Sequence, residues 1–257
     1  MQKMNIVKIG GEIVDAPDRL DLVVQQFISL PGPKILIHGG GLMVSELARR
    51  LDIPVRMTDG RRITDAETLR LTAMVYAGLI NKSIVAKLQA LACPAVGLSG
   101  ADGQAVLTKR RSGTDIDFGF VGDIITINAV FLTMLIDHGY VPVLCSLTAD
   151  NTGQLLNTNA DTIATETAVA MQGSYDVDLY FLTDKPGILY EIEDDRSVIM
   201  QIDMESYTKL KAENRIAGGM LPKIDNGLRA VKLGVEAVYI THYSKLSDKK
   251  SGTRLVM

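Results

Sequence analysis

The chain has 257 residues, 47% of them hydrophobic and 22% charged, and carries a formal net charge of −3. This is the composition of a globular protein of one large domain or two closely joined lobes, and its slight acidity argues against a nucleic-acid coat while leaving room for a local basic pocket. No apolar run reaches the roughly 18 residues that span a bilayer, and the chain enters a strand pattern without a signal-peptide core, so a cytoplasmic protein with no membrane or nucleic-acid partner is expected.

Strand and helix patterns alternate from the start. "NIVKI" (5–9) reads as a strand and "DRLDLVVQQFISL" (18–30) as a helix, with Leu22, Val23, Gln26 and Phe27 at near-helical spacing and Pro31 as its stop. "KILIH" (34–38) predicts a second strand, followed by a helix near 42–51. The run 64–91 reads as a long amphipathic helix, with Thr64 and Glu67 as a capping box. Further strands are expected at 94–99, 140–147, 177–183 and 236–241, with helices at 127–138, 159–172, 203–213 and 222–233. The stretch 101–126 reads as short hairpin strands joined by turns. Cys93 and Cys145 show no CxxC or Cys/His spacing, which predicts reduced core thiols and no metal site. "KILI" and "LYFL" are apolar on both faces, as strands of a covered parallel sheet must be. The expected fold class is therefore α/β, a three-layer αβα sandwich around a central, mostly parallel sheet. The least patterned join, near 171–178, divides the chain into an N-terminal lobe, 1–175, and a C-terminal lobe, 176–257, on one continuous sheet.

Two strands end in glycines, in "KIGGEIV" (8–14) and "HGGG" (38–41). Ligands of open α/β sheets sit beyond the carboxyl ends of the strands. Glycine there lets backbone N–H groups approach an anion, and the next helix adds the positive end of its dipole. Tight strand-to-helix turns need the same glycines, so glycine alone leaves both readings open. GxxxxGK[ST] and the protein-kinase motif set are absent and neither turn fits GxGxxG, which excludes a P-loop protein and weakens a dinucleotide reading. Lys8 favours the anion site: it lies on a strand buried on both sides, two residues before Gly10, where a cation needs an anionic partner. Lys223 follows a glycine pair in "AGGMLPK" (217–223), in the first turn of a helix, where a cation opposes the dipole unless an anion is near. A solvent-exposed lysine on an ordinary helix is the alternative. In "GQLLNTNAD" (153–161), Asn157, Asn159 and Asp161 alternate into a helix, either as its cap or as amides for a substrate carboxylate, with Asp161 positioning lysines.

Taken in order, "KIGGEI", "HGGG", "DGRRIT" (59–64), "FVGDI" (120–124), "GQLLNTNAD", "LTDKPGIL" (182–189), "GGMLPK" (218–223) and "GTRLVM" (252–257) resemble the amino acid kinase family over nearly the whole length. "KIGGEI" with "HGGG" and "NTNAD" is most similar to the acetylglutamate kinase branch; aspartokinases, UMP kinases and carbamate kinases open differently. The resemblance implies the carbamate kinase-like fold and ATP-dependent phosphorylation of the γ-carboxylate of N-acetyl-L-glutamate, the second step of arginine biosynthesis. It implies that Lys8 and Lys223 flank the transferring phosphoryl group and that Asp161 holds both ammoniums. Gly11, Gly40 and Gly41 would offer N–H groups to phosphate and substrate. Arg62 and Asn157 would bind the substrate α-carboxylate, a task suited to the arginine fork. Asp184, Lys185, Gly187, Ile188 and Leu189, with Arg215, Ile216 and Ala217, would border the nucleotide, and Mg²⁺ would be held mainly by phosphate oxygens. A homodimer is implied, with substrate binding and dimerisation in the N-terminal lobe and ATP in the C-terminal one.

A γ-carboxylate is ionised at neutral pH and needs no general base, so the transfer asks for alignment and charge neutralisation. His38 is accordingly read as structural, shaping the glycine loop. Only seven residues precede Lys8, too few for the N-terminal helix of the arginine-inhibited hexameric members, so the dimeric, arginine-insensitive type is expected. "VLCSLTADNTGQ" (143–154) departs from the family's usual "PIG"-containing segment near the acyl group. N-succinyl-L-glutamate and a carrier-linked aminoadipate therefore stand as alternative substrates. A kinase of free glutamate and a non-catalytic nucleotide or amino-acid sensor are the remaining readings, and both lysines beside Asp161 argue against the sensor.

Overall fold

In the structure, a computed structural model that describes residues 1–58, 61–113, 115–216, 219–248 and 251–257, strands and helices alternate as the sequence pattern predicts. Strand β1 (Gln2–Ile9) runs into the single-turn α1 (Gly11–Val14) and then α2 (Pro17–Ser29), whose leading proline lacks only an N–H that the first turn leaves unpaired anyway. Strand β2 (Lys34–His38) passes in the same way into α3 (Gly41–Arg50). A hairpin of β3 (Arg56–Thr58) and β4 (Arg61–Ile63), which the sequence pattern did not mark, precedes one helical run. That run comprises α4 (Ala66–Thr72), a π-helical segment (Ala73–Ile80) and α5 (Asn81–Ala90). Its cap is Asp65, whose carboxylate accepts from the Thr68 N–H at 2.8 Å. The expected Thr64–Glu67 box does not form, because the Thr64 backbone is bonded to Phe118 and Phe120 across the chain.

Strands β5 (Ala95–Leu98), β6 (Val106–Arg110) and β7 (Gly122–Ile127) follow, then α6 (Ala129–Asp137), β8 (Val141–Cys145), β9 (Leu147–Ala149), β10 (Leu155–Asn157) and α7 (Ala160–Met171). The chain continues through β11 (Tyr175–Thr183), β12 (Gln201–Ile202), α8 (Met204–Ala212), α9 (Met220–Lys232), β13 (Ala237–His242) and β14 (Thr253–Leu255). Among the described residues, eight strands form the main sheet in the order β12-β14-β13-β11-β1-β2-β8-β5, parallel from β13 to β5, with β14 antiparallel to β13. A smaller sheet, β10-β9-β6-β7, and the β3–β4 pair stand beside it.

Alternation along β1 decides what its side chains meet. Met4 and Ile6 pack with the buried residues of α7, α8 and α9, whereas Val7 and Ile9 pack with those of α2, α3 and the α4–α5 run. Each such side chain contributes about 1.5–3 kcal/mol by leaving water. Lys8 has the parity of Met4 and Ile6 and is therefore delivered to the α7/α9 face, in register with Ile37 of β2 and Phe181 of β11. The helical run Ala66–Ala90 is long and apolar enough to cross a bilayer by length and composition, although polar residues interrupt it. Here its Leu69, Val75, Ile80, Ile84 and Leu88 are buried in the protein core. Cys93 and Cys145 are buried free thiols, and burial pushes the pKa of Cys145 up to about 11.

Candidate active site

Three helices begin at the carboxyl edge of the sheet on glycine caps: Gly10 before α1, Gly40 before α3 and Gly219 before α9. None of these caps donates a side-chain bond, so the N–H groups of the first turns stay open to a ligand. They surround a cavity of about 630 Å³ lined by, among others, Lys8, Gly11, Gly40, Gly41, Arg62, Asn157 and Asp161. Gly40 has φ +156, and a Cβ there would run into the Ile80 side chain and stand 3.2 Å from the Tyr76 ring. Only glycine lets this turn lie so close to the helical run.

Asp161, in the first turn of α7 behind the Asn159 cap, sits between the two lysines. Its Oδ1 is 2.8 Å from Lys8 Nζ and its Oδ2 3.6 Å from Lys223 Nζ, with all three side chains at least 86% covered: their exposures are 8%, 6% and 14%. Burial alone would raise the Asp161 pKa, but the neighbouring ammoniums of Lys8 and Lys223 outweigh it and hold the carboxyl below its usual range. Lys223 is lowered, first by repulsion from Lys8 and then by burial, against the opposing pull of Asp161 and Glu12. The buried trio carries one positive charge beyond its carboxylate, offset among the described residues only by half-buried Glu12, so an incoming anion is favoured there.

At the opposite side, β4 carries Arg62, whose Nη2 donates to the Gly41 carbonyl at 2.8 Å and to Ser45 Oγ at 2.7 Å. Its Nη1 is buried with no hydrogen-bond partner among the described residues, an unmet donor of the kind a carboxylate oxygen satisfies. Burial lowers the Arg62 pKa, a penalty that an anionic ligand removes. Asn157 lines the same wall and donates from Nδ2 to Thr64 Oγ1 at 3.0 Å. Beneath the loop, His38 is fully buried, with Nδ1 2.9 Å from the Gly39 carbonyl and Nε2 3.1 Å from Asn81 Nδ2. A ring that donates from Nδ1 and accepts at Nε2 is neutral, and burial lowers its pKa to about 4. His38 braces the turn and holds no proton for chemistry.

A model of the amino acid kinase family matches residues 3–242. The chain belongs to the amino acid kinase family. The acetylglutamate kinase of Cytophaga hutchinsonii is 45% identical over 262 residues, covering 100% of this chain and 99% of that one. That of Phocaeicola vulgatus is 46% identical over 252 residues, covering 98% of each chain. Among solved structures, carbamate kinase from Giardia lamblia bound to AMP-PNP superposes with a TM-score of 0.72 at 16% identity, covering 99% of this chain and 98% of that one, a likeness of fold alone.

The described nucleotide residues that the family resemblance implied are not among those lining the cavity; they belong to the segments after β11 and before α9. Asp184 is exposed, and Lys185 Nζ stands 3.9 Å from Asp195. Ile188 and Leu189 are buried; the Ile188 N–H donates to Thr253 Oγ1 at 2.8 Å, and a Cβ on Gly187 would stand 2.9 Å from that same oxygen. Arg215 is paired with Glu191 at 2.8 Å and stacked over Tyr190, and Ile216 is buried in the core. Ala217 lies outside the described residues. Sequence reasoning missed several residues that line or floor this cavity. Tyr76, 5% exposed, supplies the floor below Gly40 and Gly41 beside Arg62, but in the sequence it is one more residue of an apolar helical stripe. Met57 and Arg61 arrive on the unforeseen hairpin, and Glu12 and Ser146 also line the cavity.

Proposed function

We propose that this member of the family is an acetylglutamate kinase, a phosphotransferase that moves the γ-phosphoryl group of ATP to the γ-carboxylate of N-acetyl-L-glutamate. The observation that carries the reading is the convergence of Lys8 and Lys223 on the single carboxylate of Asp161, at 2.8 and 3.6 Å, beside open backbone donors. A phosphoryl group in flight spreads negative charge over its equatorial oxygens and needs such cations more than it needs an acid or base. The relatives named acetylglutamate kinase, matched nearly end to end, support the acceptor.

In this reading Arg62 Nη1 and Asn157 take the α-carboxylate, which turns the γ-carboxylate toward Gly40, Gly41 and the lysine pair. The terminal phosphate of ATP lies between Lys8 and Lys223 and accepts from the Gly11 N–H. A γ-carboxylate oxygen forms the new bond to phosphorus as the bond to the ADP oxygen breaks, and ADP leaves with that electron pair. No proton moves. Asp161 is no base, since its two oxygens face the two ammoniums; it fixes their separation. For the same reason Asp161 is closed to a cation, so Mg²⁺ would be held mainly by the polyphosphate and would supply charge neutralisation there. The rest of the nucleotide follows Asp184–Leu189 and Arg215–Ala217 in the lobe 176–257, while 1–175 holds the acylamino acid. A homodimer belongs to the same reading, supported by Met74 and Leu79, 57% and 58% exposed on the helical run.

The test is acyl phosphate trapping with hydroxylamine in the presence of Mg·ATP and N-acetyl-, N-succinyl- or free L-glutamate, for wild type and Lys8→Ala. Hydroxamate is expected with the N-acetyl substrate, and about 10²–10³-fold less from the variant. Product with only the succinyl or free substrate would overturn the acceptor, and no product with any would overturn the kinase.

A further inference from the structure

Two of the described residues lining the cavity carry carboxylates, Asp161 and Glu12, and the transfer reading gives a part only to Asp161. Glu12 is half-buried and folds back over the first glycine turn. Its Oε1 stands 2.6 Å and its Cδ 2.7 Å from where a Cβ on Gly10 would be, so the carboxylate rests on the glycine itself, in space that any other residue would fill. It makes no side-chain hydrogen bond or ion pair among the described residues. Its negative charge bears on the Lys223 ammonium, which is otherwise repelled by Lys8. Asp15 is a further acidic neighbour and repels it. A carboxylate that lies over the first glycine turn, in the cavity that Lys8 lines, and whose charge bears on Lys223 occupies space and charge that a phosphate group would take.

We infer that the Glu12 carboxylate stands in for the terminal phosphate in the nucleotide-free protein and is displaced when ATP binds, so that Glu12 sets the affinity for ATP relative to ADP. The inference rests on the proposed kinase reading. ATP must move the carboxylate off Gly10, whereas ADP, lacking the terminal phosphate, leaves it in place. Once the phosphoryl group has passed to the acceptor, the returning carboxylate competes for the same cations and hastens release of the charged product.

Isothermal titration of Mg·ATP and Mg·ADP into wild type and Glu12→Gln, without acceptor, tests this, with thermal melting of the empty proteins to show that both are folded. The glutamine keeps the shape and removes the charge. ATP is expected to bind roughly tenfold tighter to E12Q, the order of one partly screened charge contact, with ADP changed less than threefold. An equal gain for both nucleotides overturns the inference, since a diffuse field and not occupancy of the terminal site would then be at work. Unchanged or weaker ATP binding to E12Q also overturns it, the latter showing that Glu12 holds the metal–nucleotide. These outcomes leave the kinase reading standing if wild type binds ATP. Failure of wild type to bind ATP overturns both.

Discussion

Lys223 faces a second cation, Lys8, across the Asp161 carboxylate, and that repulsion with burial lowers its pKa below that of an ordinary lysine. A lysine so lowered loses its proton at a lower pH, so kcat/KM for ATP should fall with rising pH before the ordinary lysine range near about 10.4. Bound polyphosphate favours the charged form, so the same limb in kcat should lie at higher pH. Lys223→Arg, which stays protonated, should remove the alkaline limb at a reduced rate; a variant that keeps the wild-type limb assigns it to another group. Asp161 has the opposite sign. Its depressed pKa contributes stability that is present above the unfolded value, about 3.9, and is lost as pH falls through the folded one. Asp161→Asn leaves two buried ammoniums without a counter-ion and should cost about 3–5 kcal/mol in urea unfolding at pH 7. A loss below about 1 kcal/mol would mean that solvent screens the trio as it screens surface pairs.

The elements that meet at the site owe their starts to short-range chemistry, and most of it can be read from the residues. Asn159 before α7 and the glycines before α1, α3 and α9 are ordinary signals, and the observed helices begin there. The cap of the long helical run is a case where local chemistry was ambiguous. Thr64 and Asp65 are both good caps, and the choice fell to Asp65 once the Thr64 backbone had joined residues 118–120. The π-helical segment at Ala73–Ile80, with its i→i+5 bonds, is under two turns long and too short to leave a periodic trace; its Tyr76 and Ile80 pack under Gly40. Gly40→Ala tests that contact. The added methyl meets both side chains at a φ of +156, which should cost about 1–3 kcal/mol in thermal or urea unfolding. The loop shift should also raise the KM for the acylglutamate more than that for ATP. Wild-type stability in this variant would show that the helical run yields freely beneath the loop.

At the scale of the molecule, the candidate site is assembled from residues 8, 40, 62, 157, 161 and 223, carried on a main-sheet strand, two smaller sheets and three helix starts that meet only in the folded chain. On the proposed reading its cationic excess, inside a chain of net charge −3, makes anion binding a contribution to stability. ATP at about 100 times its Kd should stabilise the fold by about 2.7 kcal/mol. For a chain of this size that raises Tm by roughly 5–10 °C. Differential scanning fluorimetry with and without Mg·ATP measures it, and Lys8→Ala should lose most of the shift; an undiminished shift would place the nucleotide phosphates away from Lys8. The sequence by itself determined the alternating α/β pattern, the doubly apolar strands, the two glycine turns and the oddity of Lys8 and Lys223. Periodicity, turn chemistry and the cost of burying a charge are properties of short segments. Only the tertiary structure decided that Asp161 lies between those lysines, that Tyr76 floors the cavity, that Glu12 covers Gly10 and that the segment after β11 stands outside it. Glu12 over Gly10 is a side-chain choice within one turn, whereas Lys8, Tyr76, Asp161 and Lys223 meet through packing between segments far apart in the chain, and no local pattern encodes a partner that far away.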